Sequence, residues 1–415
     1  MFLKFFNLFN FFKLLYFKCK NYKGPINIKI LIYKIFNNIN IYRKNVKFLK
    51  QTLPFENISK LNSPIVLVLD NYEEGGSASY RKNRFKNSSD IILLWQHIFN
   101  IGTYLVTIQE NNDKKFYRSL ELNSLVKWID NQQIKHVLIN NLYEWPKHEE
   151  VVDVILKHFN RDNLEIFLHD YLYICPSFCL LNKSTKFCNI PEDTAICNEC
   201  LIYNPNISIY KCQDIMAWRE SWLPLLIYCN KIIAPDKSVG DLYYKAFPQI
   251  NNKIKIEPHQ SLKTSWQPIT KYSKFPLHIG IIGNINLNKG AYIVRDLLNL
   301  LQSENFDYHV TVIGKIAINI RAKNFSVTGH YEHDDLPKII DKFKINVGVL
   351  PSIWPETFSY VAQEIILLNL PFVCLNLGAQ AEKAKEYSKG FLAATPDAAG
   401  LLEAILQAYY TCVKE

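Results

Sequence analysis

Three short stretches of the chain place carboxylates, backbone amides and a lysine where they could handle a phosphate or a polyol. The first is LPSIWPETFSYVAQE, residues 350–364, with seven residues between Glu356 and Glu364. Glu356 follows a proline in a loop that leaves an apolar run, and Glu364 falls about two turns into the next helix. Carboxylates accept hydrogen bonds from sugar hydroxyls, while N–H groups at a helix start suit a diphosphate. Thr357, Phe358 and Ser359 supply the amides at that start. A helix-start acid followed by a solvated glutamate gives the same letters, so the spacing alone leaves both readings open.

The second stretch, IGIIGNINLNKG (279–290), runs from a buried strand into Gly283, then through a loop to Lys289 and Gly290. Glycine permits close backbone approach, and a lysine ammonium can sit on a phosphate as a point charge. A plain strand–turn–helix with a surface lysine fits equally well. The third, EEGGSASY (73–80), opens a helix with Gly75 and Gly76. It lacks the full G-x-G-x-x-G dinucleotide fingerprint, which argues against a nicotinamide enzyme.

Positioning these groups requires strands and helices in alternation. PIVLVLD (64–70), TYLVTIQE (103–110), IKHVLIN (134–140) and LEIFLHD (164–170) read as buried strands. Helices are expected from the glycine turn to about Phe99, over 124–130 and over 149–159. Such alternation predicts a parallel sheet covered on both faces. Residues 171–212 read as irregular. A helix near 213–229, a strand at 231–235, a helix near 237–247 and a strand at 253–258 follow. The polar segment 259–276 carries two prolines and reads as a linker. Beyond it a second series begins with LHIGIIG, HVTVIG, FSVTG, INVGVLP and PFVCLNL. The predicted organisation is an extension over 1–60, an N-terminal Rossmann-like domain over 61–262 with a cysteine-rich insert at 171–212, and a C-terminal Rossmann-like domain over 275–415. Ligands bind at the carboxyl ends of such strands, so a cleft between the two sheets is expected.

The charge is uneven. The whole chain of 415 residues carries +10, yet residues 1–50 hold ten Lys, one Arg and no acid. The remainder is therefore near neutral and lacks the basic excess expected of a nucleic-acid binder. The extension is rich in Phe, Leu and Tyr but never reaches the roughly 18 uninterrupted apolar residues of a membrane span. No small-residue cleavage site follows it. Lysine with aromatics suits a segment lying on an anionic membrane, and a leader without such a role is the alternative. Six of the ten cysteines fall within 175–212. Reduced thiols in a cluster suggest metal before disulfides. Cys175, Cys188, Cys197 and Cys200 are the expected structural zinc ligands, with Cys179 and Cys212 as alternates. Buried free thiols packing an irregular loop are the other reading.

Taken in order, the three stretches resemble the group 1 retaining glycosyltransferases of the two-Rossmann, or GT-B, fold. The resemblance covers about 64–410 and is most specific in KINVGVLPSIWPETFSYVAQEIILLNLPFVCLNLGAQAE. It implies that Glu356 contacts the transferred sugar, that Glu364 contacts the ribose and that Lys289 binds the diphosphate. It also implies that Gly75 and Gly76 approach the phosphates and that His169, in HDY, serves the sugar site. The family often has Arg after the glycine of the first C-terminal strand, where this chain has Asn284. The implied activity is transfer of a hexose-like unit from a nucleotide-sugar donor to a glycan or lipid-linked acceptor, without a catalytic metal. Cell-envelope polysaccharide synthesis at the cytoplasmic face of the membrane is the implied setting, with nucleic acid not a partner. Two rivals remain at this point. One is a GT-B nucleotide-sugar epimerase, which would release nucleotide without an acceptor. The other is a non-catalytic, zinc-stabilised membrane- or nucleic-acid-binding module on a transferase fold.

Overall fold

A computed structural model describes residues 52–414, apart from 55–60, short gaps at 62–63, 73–74, 99–102, 111–112, 120–121 and 304–305, and positions 146, 208, 251, 263 and 275. The basic extension over 1–50, with its expected membrane contact, lies outside the described residues. The chain forms two compact units. The first contains residues up to Phe178 with Pro191–Ile233 and Ala246–Lys255. The second contains Cys179–Ile190, Ala234–Lys245 and Ile256–Glu415. No helix among the described residues is long and apolar enough to cross a membrane.

The first sheet has the strand order β1-β5-β4-β3-β2-β6-β7-β8-β9. Its strands are β1 (Leu53–Pro54), β2 (Ile65–Asn71), β3 (Ile91–Ile98), β4 (Thr103–Glu110), β5 (Asp113–Ser119), β6 (Ile134–Ile139), β7 (Leu164–Phe167), β8 (Lys231–Ala234) and β9 (Ile254–Ile256). β2 pairs in parallel with both β3 and β6, and β7 and β8 continue the parallel half. The other half departs from the all-parallel expectation, because β3, β4 and β5 form an antiparallel meander. The expected long helix after the glycine turn is short, α1 (Gly76–Arg84), and IILLWQHI forms β3 instead. Seven of its eight residues are buried. A strand covered on both faces shows no alternation, so its apolar run is indistinguishable by period from a buried helix.

Further helices of this unit are α2 (Leu122–Asp130), α3 (His148–His158), α4 (Thr194–Tyr203) and α5 (Ile215–Tyr228). α4 is a second departure, since it lies inside the stretch expected to be irregular. Asp193 caps it by accepting from the Ala195 amide, and Asp214 caps α5 by accepting from Met216. The segment ahead of α4 is tied to α5 through Trp218 Nε1, which donates to Leu172 O at 2.8 Å, and Arg219 Nε, which donates to Ile174 O at 3.2 Å. α1 is pinned to the sheet by two ion pairs. Arg81 meets Asp70 on β2, and Arg84 meets Glu165 on β7 at 2.5 Å. Val66, Val68, Ile92, Leu138, Phe167 and Ile233 form the core on one face, with Tyr80 of α1 packed against them.

In the second unit β10 (Leu277–Ile285), β11 (Tyr308–Ile316), β12 (Phe325–Val327), β13 (Val347–Leu350), β14 (Phe372–Leu375) and β15 (Gly390–Ala393) are ordered β12-β11-β10-β13-β14-β15. Every pairing is parallel. The order reverses between β10 and β13, which is the switch point of a doubly wound sheet. The helices are α6 (Lys237–Ala246), α7 (Ala291–Leu301), α8 (Leu336–Lys342), α9 (Tyr360–Leu367), α10 (Gly378–Glu386) and α11 (Ala398–Tyr409). Buried residues of α7 and α11 pack one face around Leu277, Ile279 and Ile281. Those of α8 and α9 pack the other around Ile282, Ile313 and Leu350. Both faces are covered, which explains the unbroken apolar strands.

Candidate active site

The loops after β10 and β13 emerge side by side at the switch point of the second sheet. The first loop turns tightly, with the Gly290 amide donating to Leu287 O and the Lys289 amide to Asn286 Oδ1. Gly290 ends it in the left-handed region at φ +85°, and a Cβ there would lie 2.0 Å from Pro351 O. Only glycine lets the two loops approach this closely. The Ile353 amide donates to Asn288 O across the same junction. Lys289 Nζ consequently lies 3.6 Å from Glu356 Oε1. Glu356 is buried while Lys289 is about a third exposed, so one pole of the pair faces solvent. Glu356 Oε1 makes no hydrogen bond, which is a costly condition for a buried carboxylate that no ligand contacts.

A residue that the sequence reading missed holds Glu356 in place. Gln380, fully buried in the first turn of α10, accepts the Glu356 amide at 3.0 Å and donates to Trp354 O at 2.9 Å. The Ala379 amide donates to Glu356 O. Gly378 permits this clasp, since at φ +57° its Cβ would lie 2.6 Å from the Pro355 backbone. Thr357, Phe358 and Ser359 carry the chain into α9. Ser359 is itself left-handed, at φ 61°, and its hydroxyl accepts from the Ala362 amide as the helix cap. A non-glycine residue in this region is strained, and such strain concentrates at functional sites. Phe358 is buried, stacked on His259 at 4.2 Å with the Lys383 ammonium 4.3 Å from its ring centroid. Its side chain is thereby committed to packing. Burial pushes His259 down to about 3, so its ring is neutral.

Glu364 lies in the second turn of α9, as expected, and is buried. Its Oε1 is 3.3 Å from His333 Nε2, and its Oε2 is buried without a hydrogen-bond partner. Gly283, at φ +112°, lies in β10, where Gly314 of β11 packs directly against its carbonyl. Asn284, the departure from the family pattern, lies next to it in β10.

In the first unit the candidates gather at the carboxyl ends of β2, β6 and β7. His169 follows β7, stacks on Phe167 at 4.3 Å and meets the edge of Tyr80 at 5.1 Å. Its Nε2 is 3.0 Å from Asn140 Oδ1, while Asn140 Nδ2 donates to Ser77 O in α1. Because Nδ2 faces a carbonyl, Oδ1 faces the imidazole, and Nε2 must carry the proton. Asn140, which the sequence reading passed over, thus links His169 to the helix start at Gly75 and Gly76. Gly75 is exposed, and a Cβ on it would meet nothing within 4 Å. Packing therefore does not require the glycine.

The expected zinc set is not assembled. Among the described residues no group of three or more His, Cys, Asp or Glu side chains is arranged to hold a metal. Cys197 and Cys200 lie one turn apart on α4, and Asn204 Nδ2 donates to the Cys200 sulfur. Cys175 belongs to the first unit, whereas Cys179, which is buried, and Cys188 belong to the second. Cys212 Sγ donates to Asp214 O, and burial raises its thiol pKa. A helix accommodates C-x-x-C as readily as a metal knuckle does, and here Asp193 caps that helix.

Residues 276–410 match a family model described as group 1 glycosyl transferases. The C-terminal domain is therefore similar to that of the group 1 glycosyltransferases. Solved structures agree on the GT-B fold. Sucrose-phosphate synthase from Thermosynechococcus elongatus superposes with a TM-score of 0.56 at 11% identity, covering 84% of this chain and 90% of that one. HepE from Anabaena in complex with UDP gives 0.53 at 13% identity, covering 85% and 91%. The apo lipopolysaccharide outer core galactosyltransferase WaaB gives 0.50 at 11% identity, covering 85% and 91%. No curated protein sequence matches the chain. The matched residues include Lys289, Glu356 and Glu364, all within one unit.

Proposed function

We propose that the chain transfers a sugar from a nucleotide-sugar donor to a glycan or lipid-linked acceptor, with retention of anomeric configuration. The observation that carries the reading is the Lys289–Glu356 pair at the strand-order reversal, one pole buried and one open to solvent. On this reading Lys289 and the amides of residues 357–359 take the diphosphate, Glu356 takes the transferred sugar and Glu364 the ribose. The bond from the anomeric carbon to the diphosphate oxygen breaks as the acceptor oxygen bonds to that carbon on the same face. The acceptor proton passes to the leaving diphosphate, whose charge Lys289 and the amides stabilise. No step requires a metal.

The direct test is a nucleotide-release assay over a panel of nucleotide sugars with oligosaccharide and polyprenyl-linked acceptors. UDP-sugars come first, because HepE was solved with UDP. Release that depends on both donor and acceptor supports the reading, and release indifferent to acceptor sinks it. The setting we infer is envelope polysaccharide synthesis at the cytoplasmic membrane face. It rests on the eleven cations among residues 1–50, each worth about 1 kcal/mol near an anionic surface. Equal sedimentation of full-length and truncated protein with anionic vesicles would refute the membrane contact.

A further inference from the structure

Glu364 is held by more than its helix. One carboxylate oxygen faces the His333 imidazole at 3.3 Å, and the other is buried and makes no hydrogen bond. His333 opens a short turn ahead of α8, and its ring is stacked on Trp266 at 4.6 Å with planes 29° apart. Trp266 comes from the segment before β10 and packs against the core under α8 and α9. The imidazole is thus clamped between an indole face and a carboxylate.

We propose that His333, braced by Trp266, is a positioning residue for donor binding: it fixes Glu364 through Oε1 so that Oε2 accepts a ribose hydroxyl of the nucleotide. The proposal rests on the nucleotide reading of Glu364 given above. The groups facing His333 all favour its cationic form. Glu364 does so most strongly, Asp334 lies 3.6 Å from Nδ1, and the indole offers a π-face to the cation. The His333 pKa is raised, chiefly by the hydrogen bond to Glu364. Tyr331, the other titratable group beside Glu364, is pushed well above the usual phenol range by burial and stays neutral. The charged clamp is therefore complete below the ordinary histidine range and is lost as pH rises through the raised value. Nucleotide affinity falls in the same window.

The probes are UDP, GDP and ADP, titrated calorimetrically, with the tightest then compared with its 2′,3′-dideoxy analogue. His333→Ala is expected to weaken the ribose diphosphate about fivefold, in line with a half-exposed ion pair. It should leave the dideoxy analogue unchanged, a difference that a merely structural role would not produce. His333→Gln retains a donor and should restore most of the affinity while abolishing the pH step. Trp266→Leu should reproduce part of the His333→Ala loss. If His333→Ala binds both nucleotides as the parent does while Glu364→Gln is weakened, the His333 proposal falls and the Glu364 reading stands. If Glu364→Gln also binds normally, or no diphosphate binds the parent, the nucleotide reading fails and takes the proposal with it.

Discussion

Asp70 and Glu356 are both buried carboxylates at the carboxyl ends of central parallel strands, and both face a cation. They are held in opposite ways. Asp70 is fully buried, its Oδ1 accepts the Asn71 amide, and its partner Arg81 is only 13% exposed. Burial lowers Arg81 to about 10, so the pair is sealed inside the unit as part of its architecture. Glu356 Oε1 accepts no such hydrogen bond, although Asp70 Oδ2 is likewise buried without one and faces its cation alone. Its side-chain oxygen meets only Lys289, at 3.6 Å, and Lys289 reaches into solvent. One pair is closed off from solvent, and the other is open to it at Lys289. The polar groups beside the first pair, Asn140 and His169, are linked by a hydrogen bond.

The largest expected effect separates the two carboxylates by stability. Asp70→Asn strands Arg81 in a buried site and should destabilise the first unit by about 3–5 kcal/mol, read by urea denaturation. An unchanged midpoint would erase the contrast. Glu356→Gln should behave oppositely. Transfer is expected to fall by two to three orders of magnitude, about the loss seen when one aligned transition-state contact is removed. Its stability should stay level or rise slightly, since a poorly satisfied carboxylate is removed. A destabilised but active Glu356→Gln would put it in the same class as Asp70. Gln380→Leu should lie between, costing about 2 kcal/mol for two main-chain groups left unpaired, together with a partial loss of transfer rate at saturating donor. A fall in stability with no change in rate would limit Gln380 to packing. Lys289→Ala should be mildest, weakening nucleotide diphosphate affinity about tenfold by calorimetry. Unchanged affinity would reduce Lys289 to a surface residue.

The second unit was legible in the sequence because its strands are covered on both faces and its site residues sit at strand ends, where periodicity stops. The Glu356 and Lys289 loops could be placed from that pattern alone. The first unit was harder. Asp113–Ser119, with the sequence DKKFYRS, is a polar strand without an apolar face to betray it. IILLWQHI is too uniformly apolar to show a period. Helix α4 carries a signal in its cap Asp193, but the C-x-x-C inside it suits a metal knuckle equally well. Asn140 and Gln380 left no local trace. Each matters because another strand or loop brings a main-chain group within reach, and that relation exists only in the folded chain.

Gln380 also ties the history of two separated segments together. The amide at 356 and the carbonyl at 354 depend on one side chain 24 to 26 positions away. A lineage that replaces Gln380 with an apolar residue must supply new partners for both groups, through a reshaped loop or an ordered water. Residues 354–356 and 378–380 are therefore expected to drift as one unit among descendants of this chain, while the exposed turns of the same domain vary freely.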